Sequence, residues 1–137
     1  VDYGSWSGRK LAVLSRNKMW KTVQESPSRM YFPGGEGIAQ MQSRAMKSVH
    51  EAVSSKAKGS AVIVSHGDVI KSIVASALGM HLDEFQRIVI DPASISILDF
   101  STTKPRTLLL NDSRSVVTEL LVAPKRSKNL LGGGAGR

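Results

Sequence analysis

Residues 60–64 read Ser-Ala-Val-Ile-Val, an unbroken run of small and β-branched side chains that ends at Ser65-His66-Gly67-Asp68. Polar and apolar residues do not alternate in it, so the run predicts a strand buried on both faces, as in a parallel sheet covered by helices. Directly behind it, Val69, Ile70, Ile73, Val74, Ala77 and Leu78 recur at helical steps, with Gly79 placed to cap the end. A strand leading straight into a helix is the repeating unit of an α/β domain. A covered strand also needs a neighbour on each edge, and nothing before residue 60 reads as one. The run therefore predicts an α/β chain that lacks the amino-terminal part of its fold.

The rest of the chain fills in around that unit. Short helical stretches are expected from Arg9 to Ser15 and from Lys18 to Glu25, with a loop over 26–35 marked by Ser26-Pro27-Ser28 and Pro33-Gly34-Gly35. From Gly37, Ile38, Met41, Ala45, Val49 and Ala52 trace one face of a long helix that ends at Lys56-Ala57-Lys58-Gly59. Glu36 sits at its first turn, where a negative charge suits the helix dipole and an ion pair with Arg44 is within reach. After a short turn at Leu82–Phe85, residues 87–90, 94–98 and 107–110 read as three strands, with loops at Asp91-Pro92 and Lys104-Pro105. Ile95 and Ile97 alternate with serines, so the middle one is expected to expose a face. The predicted architecture is an α/β domain over residues 1–112, with a mixed, mainly parallel sheet and helices on both faces. Residues 113–137 read as a basic, Gly-rich flexible tail.

Composition narrows the chemistry. The chain contains no cysteine, which excludes disulfide scaffolds, Cys-zinc sites, iron–sulfur clusters and thiol nucleophiles. No apolar run approaches the roughly 18 residues of a membrane helix, and Val1-Asp2-Tyr3-Gly4 is unlike a signal peptide. The expectation is a cytoplasmic protein, the chain beginning inside a longer one, with no membrane partner. The formal charge is +8. Lys125, Arg126, Lys128 and Arg137 follow the last acid, Glu119, so much of the excess is in the tail. A basic tail can hold an acidic partner electrostatically. The aromatics, though, are too few and scattered for a base-stacking platform, so the composition does not argue for nucleic acid.

Chemistry is best placed at Ser65-His66-Gly67-Asp68. In open α/β sheets, ligands bind where strands end and the next helix presents its unpaired N–H groups. An imidazole, a glycine that lets the backbone approach, and a helix amino end together favour an anion, above all a phosphoryl group, whose developing charge His66 can balance. The competing reading is a histidine that merely caps a strand. Ser65, His66 and Asp68 contain the residue types of a nucleophilic triad, but such neighbours seldom point at one another. His50, His66 and His81 lack metal-ligand spacing, so no zinc site is expected. Gly34-Gly35-Glu36-Gly37 follows no strand and lacks the Lys-Ser/Thr ending of a phosphate-binding loop.

Four segments, taken in order, resemble the histidine phosphatase superfamily, the group that includes phosphoglycerate mutases and acid-type phosphatases. Asp2-Tyr3-Gly4-Ser5-Trp6-Ser7-Gly8 is similar to its E-x-x-x-G-x-W-x-G segment. Pro33-Gly34-Gly35-Glu36-Gly37 with Arg44 is similar to P-x-G-E-S…R, Gly37 replacing the usual Ser. Val62-Ile63-Val64-Ser65-His66-Gly67 is similar to V-V-S-H-G, and Asp91-Pro92-Ala93-Ser94-Ile95 to N-A-S-I/V. Together with Met80-His81-Leu82-Asp83 and the Gly-rich tail, the whole most resembles an actinobacterial group of phosphomutases.

The resemblance implies a phosphoglycerate mutase-like fold and phosphoryl transfer through a phosphohistidine, by hydrolysis of a phosphate monoester or by phosphomutase chemistry on a small phosphorylated metabolite. It implies no cofactor and no metal. His66 matches the family's second histidine, a catalytic residue that hydrogen-bonds a phosphoryl oxygen, with Gly67 and Ser65 as its substrate-binding neighbours. The nucleophilic R-H-G motif and the S-x-x-x-R-A-x-x-T helix occur nowhere in the chain, and the family's acid would fall immediately before Val1. The expectation is thus the carboxyl-terminal portion of such an enzyme, inactive alone, with the unpaired edge at 60–64 favouring pairing with another copy. The alternative is a non-catalytic remnant that binds an anionic partner through the His66 pocket and the basic tail.

Overall fold

The computed structural model describes residues 1–55 and 59–114. The tail expected at 113–137 lies outside the described residues from 115 onward. Among the described residues four helices carry the framework: α1 (Leu11–Leu14), α2 (Met19–Glu25), α3 (Ile38–Ser54) and α4 (Gly67–Ala77). Single 3-10 turns occupy Gly4–Trp6, Pro27–Arg29 and Leu82–Arg87, and two strands follow, β1 (Ile95–Asp99) and β2 (Arg106–Asp112).

The long helix forms on the predicted face. Ile38, Met41, Ala45 and Val49 are all buried, and they pack on α4, which is buried at Val69, Ser72, Ile73, Val74, Ala75 and Ala77. Ser72 can sit in this apolar seam because its hydroxyl donates to the Val69 carbonyl at 2.8 Å, while its own carbonyl accepts from Gln42 Nε2 at 2.9 Å. Gly79 ends α4 as expected. Its φ is +69°, and its N–H and that of Met80 reach back to Ser76 and Ala75, the paired bonds of a Schellman cap. α3 is capped at Ser55, whose N–H bonds Glu51; Lys56, Ala57 and Lys58 of the expected Lys56-Ala57-Lys58-Gly59 ending lie outside the described residues.

The sheet departs most from expectation. Residues 60–64 are not a buried strand: they enter no ladder, and Val62 and Val64 are 81% and 92% exposed. Among the described residues no strand flanks them, and an apolar strand without a hydrogen-bonding neighbour has nothing to hold it in a sheet. Residues 87–90 are not a strand either. Leu82, Phe85 and Ile88 are buried at three-residue spacing, which is the period of a 3-10 turn, and that turn buries all three where a strand would split them between two faces. The sheet among the described residues is therefore the antiparallel pair β1–β2, not a mainly parallel sheet, with Ile97 opposite Leu109 and Asp99 opposite Arg106. The exposed alternation expected on β1 falls on β2 instead, where Leu108 and Leu110 face outward.

Candidate active site

The amino-terminal segment is fastened to the loop before α3. Ser5 N–H donates to the Pro33 carbonyl at 2.9 Å and Glu36 N–H to that of Asp2 at 3.0 Å. Glu36 Oε1 accepts from Asp2 N–H at 2.8 Å and from Arg44 Nη2 at 2.8 Å, while its Oε2 accepts from Arg44 Nε at 3.3 Å. The anticipated Glu36–Arg44 pair thus forms in bidentate geometry. Burial pushes the Glu36 carboxyl up, but the Arg44 hydrogen bonds, the Asp2 amide and the nearby positive charges outweigh this and hold it below the usual carboxylate range. The crossing is closest at two glycines. A Cβ on Gly4, whose φ is +52°, would lie 2.3 Å from the Pro33 oxygen, and one on Gly35 would lie 2.4 Å from the Asp2 oxygen.

Gly37 is the amino-terminal cap of α3, and its N–H donates to Gln40 Oε1 at 3.0 Å, which is the half of a capping box that needs no side chain on the cap. A Cβ there would meet the Tyr31 ring at 2.8 Å. The ring fills the space that the serine usual at this position would use.

His66 is the cap residue of α4, with extended backbone (φ −104°, ψ 158°) and an exposed side chain that makes no capping hydrogen bond. Its carbonyl already accepts the first helical bond, from Ile70 N–H at 3.0 Å. The N–H groups of the first turn, beginning with the half-buried Gly67, have no intrahelical acceptor. Asp68 opposes a bound anion, but its charge is offset by Lys71 Nζ at 3.7 Å. Ser65 is half-buried just before the helix. The structure thus brings Ser65, His66 and Gly67 together at one helix start, and chemically that arrangement offers an imidazole and free backbone donors to an oxyanion. The serine–histidine–aspartate alternative gains nothing, since no hydrogen bond links Ser65, His66 and Asp68 among the described residues. Neither do these residues contain a cluster of histidine and carboxylate groups suited to a metal ion, and none of their helices is long and apolar enough to cross a membrane.

Sequence reasoning did not find the cavity beside this helix start. It measures about 320 Å³, and Asp68 stands in its wall with Tyr3, Trp6, Trp20 and Phe32. Trp6 stacks on Trp20 at 6.2 Å and meets Phe32 edge-on at 5.4 Å, as does Tyr3 at 5.0 Å. Burial, and then the charge of Asp68, raise the Tyr3 phenol, which stays protonated as a donor. The forewarning in the sequence is Tyr3 and Trp6 on either side of Gly4, together with the tryptophan in α2. A wider, shallow depression of about 680 Å³ runs along α3 past Met46 and His50, but none of residues 65–68 lines it.

The profile of the histidine phosphatase superfamily (branch 1) matches residues 1–113. Phosphoserine phosphatase 1 of Hydrogenobacter thermophilus is 26% identical over 113 residues, an alignment that covers 81% of this chain and 54% of that protein. Among solved structures, Bacillus stearothermophilus YhfR superposes with a TM-score of 0.73 at 20% identity, over 80% of this chain and 55% of its own. A mutant phosphoserine phosphatase from Entamoeba histolytica, in complex with phosphoserine, gives 0.72 at 18%, over 82% and 57%. At such identities the superpositions speak for the phosphoglycerate mutase-like α/β fold alone. The chain spans about half the length of the curated relative it matches. The profile match over most of its length establishes that the chain belongs to the histidine phosphatase superfamily.

Proposed function

We propose that this chain supplies the charge-stabilising half of a phosphatase site that hydrolyses the phosphate monoester of a small metabolite. In this reading His66 donates a hydrogen bond to a phosphoryl oxygen, the Gly67 N–H faces the same group, and Ser65 borders it. The nucleophilic histidine, the arginines and the acid come from sequence preceding Val1 in a longer protein. The observation that carries the reading is the position of His66: an exposed imidazole without a capping bond, at the first turn of α4, where the helix offers unpaired N–H groups. Two further facts support it. The apolar Val62-Ile63-Val64 run stands uncovered where flanking strands would bury it, and the matching relative is nearly twice as long as the aligned segment. Hydrolysis is favoured over phosphomutase chemistry because the similar proteins are named as phosphatases.

Two assays test this. The 137-residue chain should show negligible hydrolysis of p-nitrophenyl phosphate, since without a nucleophile no phosphohistidine forms. Hydrolysis by the pure chain that disappears in His66→Ala would overturn the division of labour. In a chain carrying its natural upstream sequence, His66→Ala should raise the barrier by about 2–4 kcal/mol, the scale of one lost oxyanion donor. A loss of less than about twofold in kcat/KM would remove His66 from the site.

A further inference from the structure

We infer that the outward side of residues 9–21 is a docking surface for an anionic bilayer, on which the chain lies as a peripheral protein. The inference is independent of the phosphoryl reading of His66. It starts from charge. Five cations and no acid occur between Asp2 and Glu25. Lys21 pairs with Glu25 at 3.7 Å, but Arg9, Lys10, Arg16 and Lys18 are exposed and have no ion-pair partner among the described residues. Elsewhere cations meet carboxylates, as in Arg44–Glu36, Lys71–Asp68 and Arg106–Asp99. The other unpaired Lys and Arg of the described residues, Arg29, Lys104 and Arg114, lie singly along the chain. The second observation is apolar. Leu11 is 70% exposed and Val13 57%, and both stand between Lys10 and Arg16. The segment is anchored on its other side, since Leu14 is buried and Trp20 stacks on Trp6 at 6.2 Å. The aliphatic side chains are thus left facing solvent among the cations. A bilayer interface takes both chemistries at once, cations at the headgroup phosphates and aliphatic groups at the acyl boundary. A nucleic-acid backbone would meet the cations and leave Leu11 and Val13 in water. Such a contact needs no spanning helix, so the expectation of no membrane partner, which rests on the length of apolar runs, does not bear on it.

The test is co-sedimentation of the full 137-residue chain with vesicles of phosphatidylglycerol and phosphatidylcholine, against vesicles of phosphatidylcholine alone. The anionic vesicles should bind at least tenfold more tightly. Raising the salt from about 0.1 M to about 1 M, which shortens the screening length from about 10 Å to about 3 Å, should release the chain. Each cation near an anionic surface is worth about fivefold in affinity, so Lys10→Gln, Arg16→Gln and Lys18→Gln combined should cost at least thirtyfold. Leu11→Ser with Val13→Ser should weaken vesicle binding at least threefold and leave binding to duplex DNA within twofold. Should that pair not fold, a single label gives the same reading, because the chain has no cysteine of its own. An environment-sensitive dye on Val13→Cys should shift to the blue on anionic vesicles, and the same dye on Thr103→Cys, an exposed position between β1 and β2, should not. Four results would overturn the inference: no binding to the anionic vesicles at about 0.1 M salt, equal binding to the neutral ones, a loss caused by Lys125→Gln, Arg126→Gln and Lys128→Gln but not by the triple variant of residues 10–18, or aliphatic variants and a Val13 dye that are indifferent to lipid. The third would move the contact to the carboxyl-terminal cations, and the last, with poly-L-glutamate or DNA displacing the chain, would make the surface a site for an acidic protein or nucleic acid.

Discussion

Residues 1–8 and residues 60–66 are both irregular segments rich in side chains that ought to be buried, yet they are held very differently. The first is tied down by backbone bonds to Pro33 and Glu36, by the Glu36 carboxylate and by Trp6, which is 6% exposed. The second carries Val62, Ile63 and Val64 into solvent. Both segments contain family motifs, so motif content does not account for the contrast. Partners do. The first segment finds every group it needs between residues 20 and 44, whereas an apolar extended run needs neighbouring strands, which the described residues do not provide. A segment is ordered by what lies opposite it, and hydrophobicity alone does not bury it.

The contrast breaks most readily at the glycine crossing. Gly4→Ala adds left-handed strain of about 1–2 kcal/mol to overpacking of about 1–3 kcal/mol, because the new Cβ would press on backbone atoms of Pro33, Gly34 and Gly35 that cannot swing aside. Gly35→Ala meets the same wall from the other side. Each should cost about 3 kcal/mol, read as a lower urea midpoint with loss of the Trp6 and Trp20 packing. A cost below about 1 kcal/mol would show that the amino-terminal segment is no better held than residues 60–66.

A smaller effect comes from Glu36→Gln, which keeps the shape and removes the charge. A hydrogen bond to a charged group contributes about 1.5–3 kcal/mol, and the exposed Arg44 side discounts this toward the surface-pair range, so about 1 kcal/mol is expected at neutral pH. The pH dependence has a definite sign. The Glu36 carboxyl is lowered in the folded state, so its contribution is fully present above its unfolded value near 4.3 and is lost as pH falls through the lower, folded value. The difference between the parent chain and Glu36→Gln should be flat above about pH 5.5 and close in acid. A difference that grows as pH falls would mean that the carboxylate is strained there, not stabilised.

What could be read from the sequence divides along the same line. Ile38, Met41, Ala45 and Val49 announced α3, and Gly79 announced the end of α4, because these signals lie within one or two helical turns. The Glu36–Arg44 pair spans only eight residues and was equally legible, as was the placing of His66 at a helix start. Residues 60–64 mislead because their composition describes a strand in a complete sheet, and strand formation depends on residues far away in sequence. Residues 87–90 are ambiguous because Leu82, Phe85 and Ile88 fit a three-residue period as well as their neighbours fit an alternating one. The cavity was invisible for a related reason. Its walls come from residues 1–14, from α2, from Phe32, from the start of α3, from Asp68 of α4 and from Phe85, and no local pattern records that these segments meet.

The smallest expected effect is also the most discriminating for the second region. Val64 is 92% exposed, so Val64→Ser in this chain should change stability by less than about 0.5 kcal/mol, as surface substitutions do. A valine buried in a sheet core would be worth about 1.5–3 kcal/mol, so the same substitution in a chain completed by flanking strands should cost several times more. An unpaired apolar edge also invites association, and Val64→Ser should lower the fraction of dimer and larger species in sedimentation velocity. Should Val64→Ser destabilise the 137-residue chain by 2 kcal/mol, residues 60–64 are already covered in solution, either by a second copy or by residues outside the described set. Sedimentation tells these apart, since only coverage by a second copy makes the cost depend on protein concentration.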